Sequence, residues 1–221
     1  MALFADRHAA GQQLAGVLRE LVQKRALVLA LPRGGVPVGS EIARAFKVPL
    51  DTLVARKVGS PFNPEFAVGA LAPHDVLVLD KHAMRQSGSS DVAIQGVVAS
   101  EREEMRRRMS TYRSGSYSVG YVPEIVIVVD DGIATGMTAL AALRAARVRY
   151  RRARLILASP VCLVSTAALK KDADDVVCLA RPKDLHAIGQ AYEQFEQVND
   201  TEVIALLDGA ARALKNGTMS T

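Results

Sequence analysis

The stretch from 125 to 138, IVIVVDDGIATGMT, constrains the fold more than any other part of this 221-residue chain. Five consecutive β-branched residues read as a strand covered on both faces, the habit of a parallel sheet. The strand ends in two adjacent carboxylates, Asp130 and Asp131. Within four residues a turn rich in glycine and threonine opens a helix. In an open α/β sheet, ligands bind beyond the carboxyl ends of the strands, at turns of this kind.

The composition of the turn says what kind of ligand. A helix N-terminus offers free N–H groups and roughly half a positive charge. Ala134, Thr135, Gly136, Met137 and Thr138 can therefore wrap a phosphate with backbone N–H groups and two hydroxyls, and Gly132 and Gly136 let it approach closely. Asp130 and Asp131 would repel that phosphate. They suit the vicinal hydroxyls of a sugar, or a Mg²⁺. Phosphate at one end and pentose at the other is the shape of a ribose 5-phosphate. The bland alternative is a strand-to-helix turn with an N-cap and no ligand. Other phosphate signatures are missing: there is no GxxxxGK[ST] and no GxGxxG.

The rest of the chain supports an open, mostly parallel, Rossmann-like sheet flanked by helices. Residues 8–24 carry a helical stripe, 26–31 read as a strand, and Pro32, Arg33, Gly34 and Gly35 make a tight loop before a second helix. Residues 49–58 read as the next strand, ending in Arg56 and Lys57; this β-α-β order argues for parallel pairing. Residues 59–120 break the rhythm. They are expected to hold a mobile loop (59–65), a hairpin (66–71 with 76–79) and a long polar helix over 91–113, laced by Glu103/Arg107 and Glu104/Arg108 and ended at Ser114, Gly115 and Ser116. Strands follow at 124–129, 155–161 and 176–180, with helices at 137–148 and 165–172. Asn199 and Glu202 mark a final helix start. The whole of 1–221 is expected to form one domain, with 181–221 a tail that ends in a C-terminal helix.

Composition narrows the class. Apolar residues make up 49% and charged residues 23%, which excludes a disordered chain. The 28 Lys and Arg against 23 Asp and Glu leave +5, a mild bias toward an anionic ligand. Apolar runs reach five or six residues, far short of the roughly 20 of a membrane helix. Cys162 and Cys178 form no CxxC, and the four histidines form no HxxxH, so neither zinc nor a disulfide scaffold is expected. Two free thiols and no apolar leader fit a cytoplasmic protein.

At VVDDGIATGMT the residues resemble the phosphoribosyl-pyrophosphate motif of type I phosphoribosyltransferases. LPRGGVPV, RKVGSPFNPEFAVGA and VDDGIATG together resemble a bacterial branch of predicted phosphoribosyltransferases, and the similarity runs on into the tail. The resemblance implies Mg²⁺-dependent displacement of pyrophosphate from 5-phosphoribosyl 1-pyrophosphate (PRPP) by a nitrogen nucleophile. It implies that Arg33, Gly34 and Gly35 hold pyrophosphate and that Arg56 and Lys57 neutralise it as it leaves. Asp130 and Asp131 would take the ribose hydroxyls and help place Mg²⁺; Ala134 to Thr138 would take the 5-phosphate. A loop over 59–65 would close on the site, and the 181–221 tail would supply a small hood for the acceptor. A homodimer is a family-based expectation. Two positions depart from the pattern. The 6-oxopurine branch carries an acid where this chain has Ala134, which argues against hypoxanthine or guanine as acceptor. Met137 stands where glycine or alanine is usual.

Other features have competing readings. His186, Tyr192 and Phe195 either help bind the acceptor or pack as core. Asp174 and Asp175 lack a glycine turn and read as surface. The six arginines of 144–154 are either a solvated helix end or a phosphate-binding patch for RNA or DNA, the mark of a non-catalytic PRPP-sensing regulator.

Overall fold

The computed structural model describes residues 2–22, 25–112 and 121–218, with side chains to 216. Five parallel strands form the main sheet: β1 (Ala26–Ala30), β2 (Leu50–Thr52), β6 (Ile125–Val129), β7 (Arg154–Val161) and β8 (Asp175–Ala180), in the order β2-β1-β6-β7-β8. β1 and β6 lie side by side from Ala26 opposite Ile125 to Ala30 opposite Val129, and every residue of both is buried. Alternate residues serve opposite faces. Val28, Ala30, Ile127 and Val129 join the core under α1 (Arg7–Leu18), α2 (Gly35–Phe46) and α6 (Asp200–Thr218). Leu27, Leu29, Val126 and Val128 join the core under α5 (Met137–Arg149). Five buried alanines of α5 let that helix sit close to its neighbours.

A second, antiparallel sheet holds β3 (Arg56–Gly59), β4 (Ala67–Ala72) and β5 (Val76–Leu79). It packs between α5 and the 22-residue α4 (Asp91–Tyr112). The strand expected over 49–58 is therefore two strands. Leu50–Thr52 stays in the parallel sheet, Leu53–Ala55 crosses over buried, and Arg56–Gly59 opens the small sheet. The run is apolar throughout the crossing, so nothing in its hydrophobic pattern marks the break. The expected hairpin is present and extends to a three-stranded meander.

Smaller departures have local causes. The first helix ends at Leu18 rather than 24. A short α3 (Lys81–Gln86), not foreseen, is capped by Asp80, whose carboxylate accepts from His82 N and Ala83 N. The helix expected over 165–172 is a 3₁₀ turn, Thr166–Lys171, capped by Ser165. On α4, Glu104 takes both Arg107 and Arg108 at 2.7 Å, so Arg107 pairs at i,i+3 with Glu104 rather than at i,i+4 with Glu103. The expected helix stop at 114–116 lies outside the described residues. Asn199 does accept from Glu202 N, at 2.9 Å, where α6 begins.

Candidate active site

The helix after β1 covers one face of the sheet and the helix after β6 covers the other. Strand order reverses between these two neighbours, the place where open α/β sheets bind their ligands. Residues 31–35 leave β1 there, and residues 130–136 leave β6.

The two segments touch. Leu31 N donates to Val129 O at 2.8 Å, and the Pro32–Arg33 peptide is cis. A Cβ on Gly34 would lie 2.0 Å from Asp131 Oδ2, and one on Gly35 would lie 2.6 Å from Val129 O. Both positions must be glycine for the loop to lie this close to the acids. Asp131 N donates to Asp130 Oδ1 at 2.9 Å. Burial, then the charge of Asp131, pushes the Asp130 carboxyl well above the usual range. Burial also raises Asp131, against the pull of Arg7.

The turn beyond the acids is stitched to the end of β7 and the residues just after it. Ile133 N donates to Val161 O and Leu163 N donates to Ile133 O, both at 2.8 Å. Gly136 has φ of 81°, a left-handed conformation that lets α5 start at Met137. The first-turn N–H groups of α5 face out of the helix end without intrahelical acceptors. A cavity of about 600 Å³ opens above them. Its lining takes Asp130 and 132–139 from the sheet side, and Lys57, Glu65, Phe66 and Ala67 from the small sheet.

The matching family model is the phosphoribosyl transferase domain, over residues 5–196. The chain belongs to the phosphoribosyl transferase family. Two proteins from two strains of Mycobacterium tuberculosis, both provisionally named phosphoribosyl transferases, are 43% identical to it over 213 residues, 96% of this chain. The chain spans about half, 48%, of the length of those relatives. The crystal structure of TT1426 from Thermus thermophilus superposes with a TM-score of 0.74 at 38% identity, covering 96% of this chain and 100% of that one.

Within this phosphoribosyl transferase fold the candidates separate. Asp130, Ala134, Thr135, Gly136, Met137, Thr138 and Lys57 share the cavity. Arg33, Gly34, Gly35 and Asp131 are not among its lining residues, though Gly34 and Gly35 lie against Asp131 and Asp130. Arg33 is 3.6 Å from Asp200, which also accepts from the Tyr112 hydroxyl at 2.7 Å. Arg56 is not brought to the cavity. Neighbours on a strand face opposite ways, and Arg56 turns to α4, with Nε and Nη2 both 2.7 Å from Glu101 Oε2. Lys57 faces the cavity and pairs loosely with Glu65 at 3.3 Å.

Tyr192 is buried core, stacked on Phe195 with centroids 5.0 Å apart, and its hydroxyl donates to Asp131 O at 2.6 Å. His186 is exposed. Arg7 was missed by the sequence reading. It reaches Asp131 at 2.7 Å from 124 positions away, and no local pattern marks it.

The arginine run lies at the far end of α5. Arg144, Arg147 and Arg154 are taken by Asp172, Asp174 and Asp175 at 3.0, 2.7 and 2.7 Å. These acids tie the helix end to the strand beside it. Cys162 is buried and Cys178 half-buried, both free.

Among the described residues, no three His, Cys, Asp or Glu side chains gather into a metal cage. Of the two carboxylates that line the cavity, Asp130 and Glu65, Asp130 stands beside the 134–138 turn and would suit a Mg²⁺ that keeps its waters and shares substrate oxygens. Among the described residues no helix is long and apolar enough to cross a membrane.

Proposed function

We propose that this chain transfers the phosphoribosyl group of PRPP to a nitrogen nucleophile. The observation that carries the proposal is that Asp130, the 134–138 turn and Lys57 line one cavity. At about 600 Å³ it falls within the range of small-molecule sites, roughly 300–1,000 Å³.

In this reading the N–H groups of 134–138 and the hydroxyls of Thr135 and Thr138 bind the 5-phosphate. Asp130 accepts hydrogen bonds from the ribose hydroxyls. The pyrophosphate lies toward Arg33, Gly34 and Gly35, and Arg33 exchanges Asp200 for a phosphate oxygen. The C1–O bond to pyrophosphate breaks as the acceptor nitrogen bonds to C1, and the nitrogen loses a proton. Positive charge grows on the ribose ring while negative charge grows on the leaving group, which Lys57 and Arg33 face. Mg²⁺, held through Asp130 and substrate oxygens, would supply further neutralisation of the pyrophosphate. Arg56 serves by fastening β3 to α4. The loop at 60–66, with Phe62 70% exposed, stands where a lid would exclude water from the activated ribose. Ala134 leaves no carboxylate for a 6-oxopurine, so the favoured acceptor is another nitrogenous base or amine. The free thiols suit a cytoplasmic setting.

Calorimetry of the wild type with PRPP and Mg²⁺ tests the proposal, followed by a pyrophosphate-release screen over nucleobases and small amines. Binding that disappears in Asp130→Asn/Asp131→Asn with the fold intact is the expected result. A wild type that binds no PRPP would end this reading.

A further inference from the structure

Asp131 is held by parts of the chain that lie far apart in sequence. Arg7, in the first turn of α1, places Nε 2.7 Å from Asp131 Oδ2. The same guanidinium lies 3.8 Å above the centroid of the Phe195 ring. Its Nη1 donates to Glu196 O at 2.9 Å. Carboxylate, carbonyl and aromatic face leave the group one orientation. Gly34 lies against the same Oδ2, where no Cβ fits.

The side chains of Arg7 and Asp131 are 11% and 15% exposed, so this is no solvated surface pair of negligible effect. It also has a direction. Asp130 lines the cavity, whereas Asp131 is turned beneath the anion loop. The 134–138 turn does not depend on Arg7, because the backbone bonds between Ile133 and β7 hold it.

We propose that Arg7 is a positioning residue of the phosphoribosyl site, keeping Asp131 seated under Gly34 so that the anion loop and the acid pair act as one receptor for the ribose–pyrophosphate end of the substrate. This rests on the function proposed above. Arg7 itself touches no substrate atom; it acts through Asp131.

The arrangement separates two affinities. Arg7→Gln loosens Asp131 and the loop above it, and leaves the 5-phosphate cradle intact. Its affinity for PRPP with Mg²⁺ falls by about tenfold to 100-fold, the scale of a misplaced contact. Its affinity for inorganic phosphate, which needs only the cradle, stays at the wild-type value. Arg7→Lys restores the charge but cannot lie flat on Phe195 and reach Glu196 together. It gives an intermediate PRPP loss, and serves alone if Arg7→Gln does not fold.

Titration calorimetry of wild type and both variants, with PRPP and with phosphate, reads this out. Wild-type PRPP affinity in either variant overturns the proposal. So does a parallel loss of phosphate and PRPP, which would mark Arg7 as a general prop of the fold. A wild type that binds phosphate but not PRPP defeats the function reading first, and this inference with it.

Discussion

Asp130 shows the tension between fold and function in a single side chain. Its carboxyl is raised by burial and by Asp131, so the folded protein holds the proton more tightly than the unfolded chain. The charged form therefore subtracts stability above the raised folded value, and the penalty fades as pH falls toward the unfolded value of 3.8. Asp130→Asn is expected to gain about 1–2 kcal/mol at pH 7. The gain shrinks to nothing near and below pH 3.8, while PRPP binding is lost. Thermal unfolding over a pH series, beside calorimetry, checks both halves. Gly136→Ala meets no clash, since the nearest side-chain atom lies 3.6 Å from the added Cβ. Its cost comes from the backbone conformation and should be about 1–2 kcal/mol in denaturant unfolding. These residues were legible because they sit in one continuous stretch. Arg7 was not, because its meaning comes from a partner 124 positions away.

At the scale of elements, β3 turns consecutive cations to different neighbours. Lys57→Ala is expected to lower kcat by about 100-fold, the effect of losing one charge-stabilising donor, with stability little changed. Arg56→Ala should instead lower stability, by about 1 kcal/mol, as the Glu101 pair is lost. Steady-state kinetics beside melting curves separates the two. The sequence alone does not separate the two residues, because what each side chain meets depends on α4 and the small sheet, which lie further along the chain. The arginine run teaches a similar lesson. Its sequence leaves both a solvated helix end and a phosphate-binding patch open, and the segment from the 3₁₀ turn into β8 brings aspartates against three of its six arginines. Burial opposes ionisation of Asp174, but the Leu155 N–H and Arg147 outweigh it and hold the carboxyl low. Asp174→Ala should cost about 1 kcal/mol at neutral pH, small because the side chain is half-exposed. The difference from wild type should narrow as acid protonates Asp174 in the native protein, a trend visible in melting curves.

Across the whole molecule, the parallel core was readable because its strands are unbroken apolar runs spaced by helices. The path between the two sheets was not. Leu53–Ala55 are as apolar as the strands they join, and the reversal of direction depends on β4, beyond the loop. The last helix closes the assembly, with Val203 and Leu207 fully buried against the core. Each such side chain is worth about 1.5–3 kcal/mol. Deleting 199–221 is therefore expected to lower stability by several kcal/mol, checked by chemical denaturation, and to release Arg33 from Asp200.

The back-to-back pair Arg56 and Lys57 has one more implication. Glu101 lies midway along a rod about 33 Å long by helix geometry. A tilt of that rod would be transmitted through the guanidinium to a stiff β segment and would swing the ammonium on its far side. The long helix is thus a tiller: whatever leans on one of its ends would be felt at the Lys57 ammonium on the cavity side.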